Sequence, residues 1–209
     1  MDIITKIQNK EAVIGVVGLG YVGLPLILAF SAKDYRCVGF DIDQAKVNSI
    51  NSGKSYIDHI DSTSLNSAVD CGLLTATSDF TKIADVDAVI MCVPTPLDKH
   101  MEPDLSYVID TMETVAPYLR KEQIVSLEST TYPGTSEEEL RPRIEAQGLT
   151  VGKEVFLVYS PEREDPGNPK FSSKNIPKVV GGSTSNCTKA GISLYEAAIG
   201  SVIPVSSTK

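Results

Sequence analysis

The chain of 209 residues has few basic residues and no long apolar run. Its 19 lysines and arginines are outnumbered by 27 aspartates and glutamates, which gives a net charge of -8. Nucleic acids and anionic membranes attract basic surfaces, so neither is an expected partner. No stretch approaches the roughly 18 uninterrupted apolar residues of a membrane span. Residues 1–12 also lack the apolar core and cleavage site of a signal peptide. We therefore expect a cytoplasmic protein.

Patterns typical of metal sites are also missing. His59 and His100 have no cysteine or histidine neighbour at ligand spacing, so no metal site is expected. The cysteines show neither a CxxC pair nor a metal-ligand spacing: Cys37, Cys71, Cys92 and Cys187. Four unpaired thiols suit a reducing compartment, and we expect all of them to be buried as small apolar side chains.

Strand and helix patterns alternate along the chain, whose hydrophobic content of 42% is typical of a globular protein. Strands are predicted at 12–17, 36–41, 73–77, 87–93, 123–128 and 154–159. Helices are predicted at 22–34, 43–51, 104–120 and 134–147. Two further strands, 178–182 and 201–205, flank a helical stretch at 185–199. The alternation predicts a doubly wound parallel α/β sheet of the Rossmann type, with helices on both faces, in one domain spanning 1–209.

The segment AVIGVVGLGYVGLP, residues 12–25, predicts a buried strand, a glycine turn and a helix. Gly18 would allow the tight turn, Gly20 would let the backbone approach phosphates, and Gly23 would let the helix pack closely on the strand. The start of the helix would offer N–H groups to an anion. Glycines also mark ordinary turns, so this hexad alone predicts a dinucleotide site only weakly.

The predicted strand 36–41 ends in a carboxylate at Asp41, about 20 residues beyond the glycines. We expect Asp41 to accept hydrogen bonds from both hydroxyls of an adenosine ribose. Its negative charge would repel a 2′-phosphate, so the expected cofactor is NAD rather than NADP. Asp43 falls instead where a helix N-cap or a first-turn acid is expected.

Ligands bind at the carboxyl ends of parallel strands, and three polar loops follow predicted strands there. Pro94 and Pro96 stiffen the first loop and leave the Thr95 hydroxyl at the edge of the cleft. The second loop, 129–134, carries several hydroxyls, and the third, 160–168, is highly charged. Three such loops at one edge predict a binding site.

Simpler explanations exist for several of these polar segments. Thr135 or Ser136 followed by Glu138 or Glu139 is a capping-box-like start of a helix, although capping does not require Ser129 or Thr130. The loop 160–168 could be an exposed turn. The polar segment 51–71 predicts a loop and a short helix, which would either line the cleft or, as we favour, form a solvated connection.

Four motifs in this order resemble the NAD-binding half of the bacterial UDP-sugar 6-dehydrogenases: GVVGLGYVGLPL, CVPTP, LESTTYPGT and SPEREDPGN. This family, the UDP-glucose and GDP-mannose dehydrogenases, oxidises the 6-hydroxyl of a sugar to a carboxylate in two NAD-dependent steps. The resemblance covers nearly the whole chain. The loop SPEREDPGN is similar to that of members acting on UDP-N-acetylglucosamine, whereas UDP-glucose enzymes usually carry a PEFLREG-like sequence there.

The resemblance implies cofactor-binding roles for individual residues. It places Tyr21 and Val22 at the pyrophosphate, Asp41 on the ribose and Thr95 against the cofactor. Lys46 matches a position that contacts the adenosine end, although an ordinary exposed helix lysine explains it equally well.

The resemblance also implies a catalytic side of the site. Thr130 would touch the cofactor and help to position a catalytic water, and Glu162 would assist proton transfer and the hydrolysis of a thioester. Arg163 and Glu164 would shape the substrate loop. A second glutamate of the UDP-glucose pattern falls near Pro166, so that role does not transfer.

Several parts of the family pattern do not occur in this sequence. Nothing resembles the GFGGxCxPKD-like motif, whose cysteine would hold the substrate covalently, and Lys209 should not be taken for the catalytic lysine of the family. The resemblance implies that the central dimerisation helix and the C-terminal UDP-binding domain of the family lie outside these 209 residues. We expect an N-terminal domain that binds NAD without turnover. The full-length enzyme, a homodimer or larger oligomer, would oxidise UDP-N-acetyl-hexosamine or UDP-glucose.

Two other functions are open at this point. One is a stand-alone module that senses NAD for regulation, which a gene continuing into a GFGGxC-like motif would exclude. The other is a different two-domain dehydrogenase, acting on a hydroxyacid or an acyl-CoA, against which the STTYPGT and PEREDPG sequences argue.

Overall fold

A computed structural model describes residues 2–58, 60–97, 99, 103–161, 177–205 and 208. Over this part of the chain, eight strands form one sheet in the order β3-β2-β1-β4-β5-β6-β7-β8. The strands are β1 (Val13–Val17), β2 (Arg36–Phe40), β3 (Leu74–Thr77), β4 (Ala88–Met91), β5 (Gln123–Leu127), β6 (Val155–Tyr159), β7 (Lys178–Gly182) and β8 (Val202–Pro204).

Strands β1 to β6 pair in parallel throughout, which confirms the predicted doubly wound sheet. Strand β7 differs, because it runs antiparallel to β6 and pairs Val158 with Gly182 and Tyr159 with Gly181. The sheet is therefore mostly parallel, and the antiparallel pair of β6 and β7 was not predicted. A parallel pair needs a crossover, usually a helix, and the proline-rich, charged sequence between β6 and β7 is not typical of one.

Helices connect most of the parallel strands. They are α1 (Ile3–Gln8), α2 (Gly23–Ser31), α3 (Gln44–Asn51), α4 (Ser62–Asp70), α5 (Ser106–Val115), α6 (Arg141–Glu145) and α7 (Ser185–Glu196). Short 3₁₀ segments occur at Phe80–Asp85 and Ala116–Tyr118, and a π-helical turn at Ser136–Leu140 precedes α6. The predicted helices are confirmed, with shorter or divided spans.

Two prolines explain where the predicted helices are divided. The helix predicted at 104–120 changes to 3₁₀ geometry at Ala116, beside Pro117, which lacks the N–H that would continue the α-helical ladder. The helix predicted at 134–147 opens with the wider π turn before Pro142, which likewise cannot donate to the carbonyl four residues earlier.

The sheet is buried on both faces. On one face, residues of α2 and α7 pack in one cluster with Ile14 and Val16 of β1. On the other face, residues of α5 and α6 pack in a second cluster with Val125 and Leu127 of β5. Strands β4 and β5 are buried at every position, as is typical of central strands in a parallel sheet. The prediction of helices on both faces is confirmed.

Three local predictions have mixed outcomes. Asp43 caps α3, its carboxylate accepting from the Ala45 N–H at 2.9 Å, as expected. The capping box at Thr135 is wrong, because that hydroxyl donates to the Tyr132 carbonyl and makes no cap bond. Cys71 is exposed, not buried, because it lies just past the polar end of α4, whereas Cys37, Cys92 and Cys187 are buried.

Helix α1 was not anticipated from the sequence. It is six residues long, too short for a clear apolar period, and only Ile3 and Ile7 are buried. Asp2 caps it by accepting from the Thr5 N–H at 3.0 Å. Within the described residues, none of the helices is long and apolar enough to span a membrane.

Candidate functional site

The strand order reverses between β1 and β4, and the carboxyl ends of these strands form a crevice where ligands bind in doubly wound sheets. The glycine loop, residues 18–23, leaves β1 at this point. The Gly18 N–H donates to the Phe40 carbonyl at 2.8 Å, which joins the loop to the end of β2. The loop therefore lies across the switch point of the sheet.

Each glycine of the loop has its own steric environment. Gly18 has a φ of +89°, and a Cβ there would lie 2.6 Å from the Cys92 carbonyl oxygen. A Cβ on Gly23 would collide with the Gly18 carbonyl oxygen, so the start of α2 packs against the loop backbone. These two findings confirm the tight turn and the close packing. At Gly20 a Cβ would meet no described atom within 4 Å, and phosphate approach there stays a prediction.

The N-terminus of α2 has the features of an anion site. Val22 precedes the helix without a side-chain cap, and the first turn holds no acidic side chain. The positive end of the helix dipole is therefore not offset by a neighbouring carboxylate of that turn. Tyr21, just before it, is 68% exposed, and Val22 is partly buried. A dinucleotide pyrophosphate fits this position.

Asp41 joins the end of β2 to the glycine loop. The side chain is buried, and its Oδ2 accepts from the Leu19 N–H at 2.9 Å. Oδ1 accepts from the Asp43 N–H at 2.9 Å, and the Lys46 ammonium lies 3.3 Å from Oδ2. Lys46 is therefore paired with the carboxylate predicted to bind ribose, rather than being an unrelated surface lysine.

The Asp41 carboxylate retains capacity for a ribose. A carboxylate offers about four lone-pair positions, and the contacts above use three of them. The contact with Lys46 is the longest, and the lysine side chain is 36% exposed. A first ribose hydroxyl can use the remaining position, and a second can replace Lys46.

A second part of the site lies beyond the glycine loop, at the ends of β4 and β5. The Thr95 hydroxyl donates to the Thr130 carbonyl at 2.8 Å, and the Ser129 hydroxyl donates to the Val93 carbonyl at 2.6 Å. These bonds join the two loops along one wall. A pocket of about 180 Å³ lies here, lined by Val22, Cys92, Val93, Pro94, Thr95, Glu128, Ser129 and Thr130. The structure thus brings together Val22, Thr95 and Thr130.

A buried ion pair adjoins this pocket and was not identified from the sequence. The Lys178 ammonium donates to Glu128 Oε2 at 2.7 Å, and both side chains are almost fully buried. Tyr195 lies beside them and hydrogen-bonds Ser126 at 2.7 Å. Burial and the negative charge of Glu128 raise the pKa of Tyr195 well above its usual range. The sequence signal that could have identified this pair was a charged residue beside each of two apolar strands: Glu128 directly follows β5, and Lys178 begins β7.

The polar segment 51–71 also reaches the site. It contains the predicted short helix, now α4, but the favoured interpretation as a solvated connection is wrong at two residues. Ile57 is buried, and the Tyr56 hydroxyl donates to the Leu19 carbonyl in the glycine loop. A tyrosine followed by an isoleucine within a polar run was the only sequence signal.

Of the residues predicted for catalysis and the substrate loop, only Thr130 is among those that the structure describes. Glu162, Arg163 and Glu164 are outside the described residues. Pro161, which precedes them, lines a larger pocket of about 310 Å³ with Tyr132, Tyr159 and Val179 among its walls. This pocket lies beyond β5, away from the glycine loop, and shares no lining residue with the smaller one. Among the residues that the structure describes, no cluster of three or more potential metal ligands occurs.

Comparison with known proteins agrees with this geometry. Residues 12–199 match the NAD binding domain of the UDP-glucose/GDP-mannose dehydrogenase family. A UDP-N-acetyl-D-glucosamine 6-dehydrogenase from Pseudomonas aeruginosa is 37% identical over 187 residues, covering 89% of this chain and 43% of that protein. A UDP-N-acetyl-D-mannosamine dehydrogenase from Escherichia coli K12 is 36% identical over 193 residues, covering 88% and 45%. The chain therefore spans less than half the length of these relatives.

A solved structure gives the same result. The NDP-N-acetyl-D-galactosaminuronic acid dehydrogenase from Methanosarcina mazei Go1 superposes with a TM-score of 0.86 at 29% identity, covering 100% of this chain and 47% of that one. The family predicted from the four motifs is confirmed. The chain belongs to the UDP-glucose/GDP-mannose dehydrogenase family, and its residues 12–199 form the NAD-binding domain of that family.

Proposed function

We propose that NAD binds across the carboxyl edge of the sheet between β2 and β5. We further propose that the protein containing this domain oxidises the 6-hydroxyl of a UDP-N-acetyl-hexosamine to a carboxylate in two NAD-dependent steps. The observation that carries the first proposal is the Asp41 carboxylate, buried at the end of β2 and bonded to the Leu19 N–H of the glycine loop. One side chain thereby links the proposed ribose and pyrophosphate positions.

The adenosine half of NAD would lie between Asp41 and the start of α2. Asp41 accepts from the ribose hydroxyls, and Lys46 moves off the carboxylate toward the adenosine end. The pyrophosphate lies against the backbone of Gly20, Tyr21 and Val22, where the Gly20 position is open and the helix dipole favours negative charge. The negative charge of Asp41 opposes a 2′-phosphate, which selects NAD over NADP.

The nicotinamide half would enter the pocket bounded by Val22, Thr95 and Thr130. NAD, when bound, supplies the hydride acceptor of the reaction. The Thr95–Thr130 bond holds the two loops at a fixed separation, so the pocket wall is formed in advance. Thr130 is our candidate for positioning the catalytic water, and Glu162 is the candidate for proton transfer.

The substrate proposal is supported by the relatives, several of which are dehydrogenases of N-acetylated nucleotide sugars. Arg163 and Glu164 are proposed to shape the substrate loop, in keeping with the SPEREDPGN sequence. UDP-glucose is the alternative substrate. Location in the cytoplasm and assembly into a homodimer or larger oligomer stay predictions.

Isothermal titration calorimetry of the 209-residue chain tests the cofactor proposal. We expect NAD to bind at least about tenfold more tightly than NADP, because the 2′-phosphate would face a buried carboxylate. We also expect no steady production of NADH with any UDP-sugar, since the sequence holds no GFGGxC-like motif. Equal affinity for the two cofactors, or sustained turnover, would contradict the proposal.

A panel of UDP-sugars assayed with the full-length protein tests the substrate. NADH production should be fastest with UDP-N-acetylglucosamine or UDP-N-acetylmannosamine, and slow with UDP-glucose. The reverse order would favour the alternative substrate. A full-length protein that binds NAD but turns over none of the sugars would instead favour a regulatory module.

A further inference from the structure

Leu19, in the glycine loop, is held from two sides, through the peptide on either side of its Cα. On one side, the Leu19 N–H donates to Asp41 Oδ2 at 2.9 Å. On the other, the Tyr56 hydroxyl donates to the Leu19 carbonyl oxygen. The Leu19 side chain is 1% exposed, and it packs so closely on β2 that a Cβ at Gly39 would lie 2.9 Å from it. Leu19 is therefore fixed through its amide, its carbonyl and its side chain.

Tyr56 is itself anchored by its neighbours. Ile57 is buried, and its N–H donates to the Ser55 hydroxyl at 3.1 Å. The Ser55 hydroxyl in turn donates to the Ile57 carbonyl at 3.0 Å, and the Ser55 N–H donates to the Ser62 hydroxyl at 3.1 Å. The loop that carries Tyr56 is thus connected to the start of α4. The backbone on both sides of Tyr56 is therefore fixed where its side chain contacts the glycine loop.

The contact with Tyr56 controls a donor of the proposed phosphate site. The Leu19 carbonyl and the Gly20 N–H belong to the same planar trans peptide and point in opposite directions. A hydroxyl that holds the carbonyl therefore aims the Gly20 N–H away from Tyr56. Without it, this peptide could rotate, because glycine at position 20 places little restriction on the backbone.

The protonation state of Tyr56 suits a permanent donor. Burial raises the pKa of its hydroxyl above the usual value, and the nearby carboxylates of Asp41 and Asp43 raise it further. The hydroxyl therefore keeps its proton at neutral pH and is available to donate to the carbonyl.

We propose that Tyr56 is a positioning residue for NAD binding, which sets the Leu19–Gly20 peptide in its phosphate-binding orientation before the cofactor arrives. The proposal rests on the proposed cofactor site. Its physical effect is preorganisation, since a loop that is already ordered loses less conformational freedom on binding.

Tyr35 provides a matched control for this role. Its hydroxyl also donates to a backbone carbonyl, that of Ile7, at 2.7 Å, and the side chain is buried. That contact joins α1 to the start of β2, at the edge of the sheet opposite the glycine loop. Tyr56→Phe and Tyr35→Phe therefore remove the same kind of bond, one beside the proposed cofactor and one remote from it.

Calorimetric titration of NAD into the wild type and both variants is the test. We expect Tyr56→Phe to weaken NAD binding about five- to tenfold, the effect of one lost hydrogen bond. ADP-ribose, which contains the pyrophosphate, should weaken by the same factor, whereas adenosine, which lacks it, should be unchanged. Tyr35→Phe should lower Tm but leave NAD affinity within about twofold.

The outcomes separate this inference from the proposed function. If the wild type binds NAD and Tyr56→Phe binds it equally well, or loses as much affinity for adenosine, the positioning role is overturned while the cofactor site stands. If the wild type does not bind NAD, both fall. Amide hydrogen exchange of the unliganded chains adds a second measurement: exchange at Leu19, whose N–H is bonded to Asp41, should be faster in Tyr56→Phe than in Tyr35→Phe, and equal rates would contradict the proposal.

Discussion

Asp41 and Asp87 are two buried aspartates at opposite edges of the same sheet, and each accepts hydrogen bonds from a lysine and from the backbone. Asp41 follows β2 at the carboxyl edge, and Asp87 precedes β4 at the amino edge. Asp87 accepts from Lys6 at 2.8 Å, from Arg120 at 2.9 Å and from the Val13 N–H at 3.0 Å. Its partners come from α1, from β1 and from the segment before β5.

The difference lies in which elements each carboxylate joins. Asp87 links three separate parts of the fold, so its interactions stabilise the folded state. Burial opposes its charge, but the hydrogen bonds from Lys6, Val13 and Arg120 prevail and hold the pKa of Asp87 below its ordinary value. Two of the three contacts of Asp41 are backbone bonds, one to the glycine loop 22 residues away in the sequence and one within the turn after β2. Similar chemistry therefore serves stability at one edge and the proposed cofactor site at the other.

The largest expected effect is on cofactor affinity in Asp41→Asn. Charge-assisted hydrogen bonds are worth about 1.5–3 kcal/mol, so NAD should bind roughly 10- to 100-fold more weakly. The preference over NADP should disappear, because the repelling charge is gone. Calorimetry with both cofactors measures this, and a Tm within a few degrees of the wild type would show that the fold is intact.

Asp87→Asn makes the same substitution at the opposite edge of the sheet. Lys6 and Arg120 are partly exposed and can be solvated again, so we expect a loss of about 2 kcal/mol in the free energy of unfolding and a Tm lower by about 4–8 °C. At temperatures below the unfolding transition, NAD affinity should stay within about twofold of the wild type. If this variant lost NAD binding while keeping its Tm, the assignment of Asp87 to stability rather than to cofactor binding would be wrong.

Acid pH should remove the stabilising contribution of Asp87. A carboxylate with a lowered pKa in the folded state contributes stability that is fully present above its unfolded pKa, here the ordinary 3.8, and is lost as the pH falls through the folded pKa. Below about pH 4 the wild type should therefore lose more unfolding free energy than Asp87→Asn. Urea unfolding of both chains from pH 6 to pH 2.5 checks this. An equal loss of unfolding free energy in the two chains would show that Asp87 does not contribute to the pH dependence.

The smallest effect is expected from Lys46→Met. The ammonium lies 3.3 Å from Asp41 and is partly exposed, so the pair contributes little to stability, about 0–1 kcal/mol. Since we propose that ribose displaces this contact, NAD affinity should change by no more than about threefold in either direction. A loss as large as that of Asp41→Asn would show instead that Lys46 holds the cofactor directly.

The parts of the molecule that follow local rules were predictable from the sequence. The apolar runs that became β1 to β6, the glycine positions and the Asp43 cap each depend on a few neighbouring residues. The antiparallel β7 was missed because pairing direction depends on the path of the chain between strands. Tyr56, Glu128 and Lys178 were missed because their partners lie far away in the sequence, 37 residues for Tyr56 and Leu19 and 50 for Lys178 and Glu128.

A structure of the chain with NAD bound tests the central claim most directly. The account predicts an adenosine-ribose hydroxyl within about 2.7–3.2 Å of the Asp41 carboxylate and the pyrophosphate against the Gly20 N–H at the start of α2. The nicotinamide should lie beside Thr95 and Thr130. NAD bound instead in the larger pocket beside Tyr132 and Tyr159, with no contact to Asp41, would contradict it.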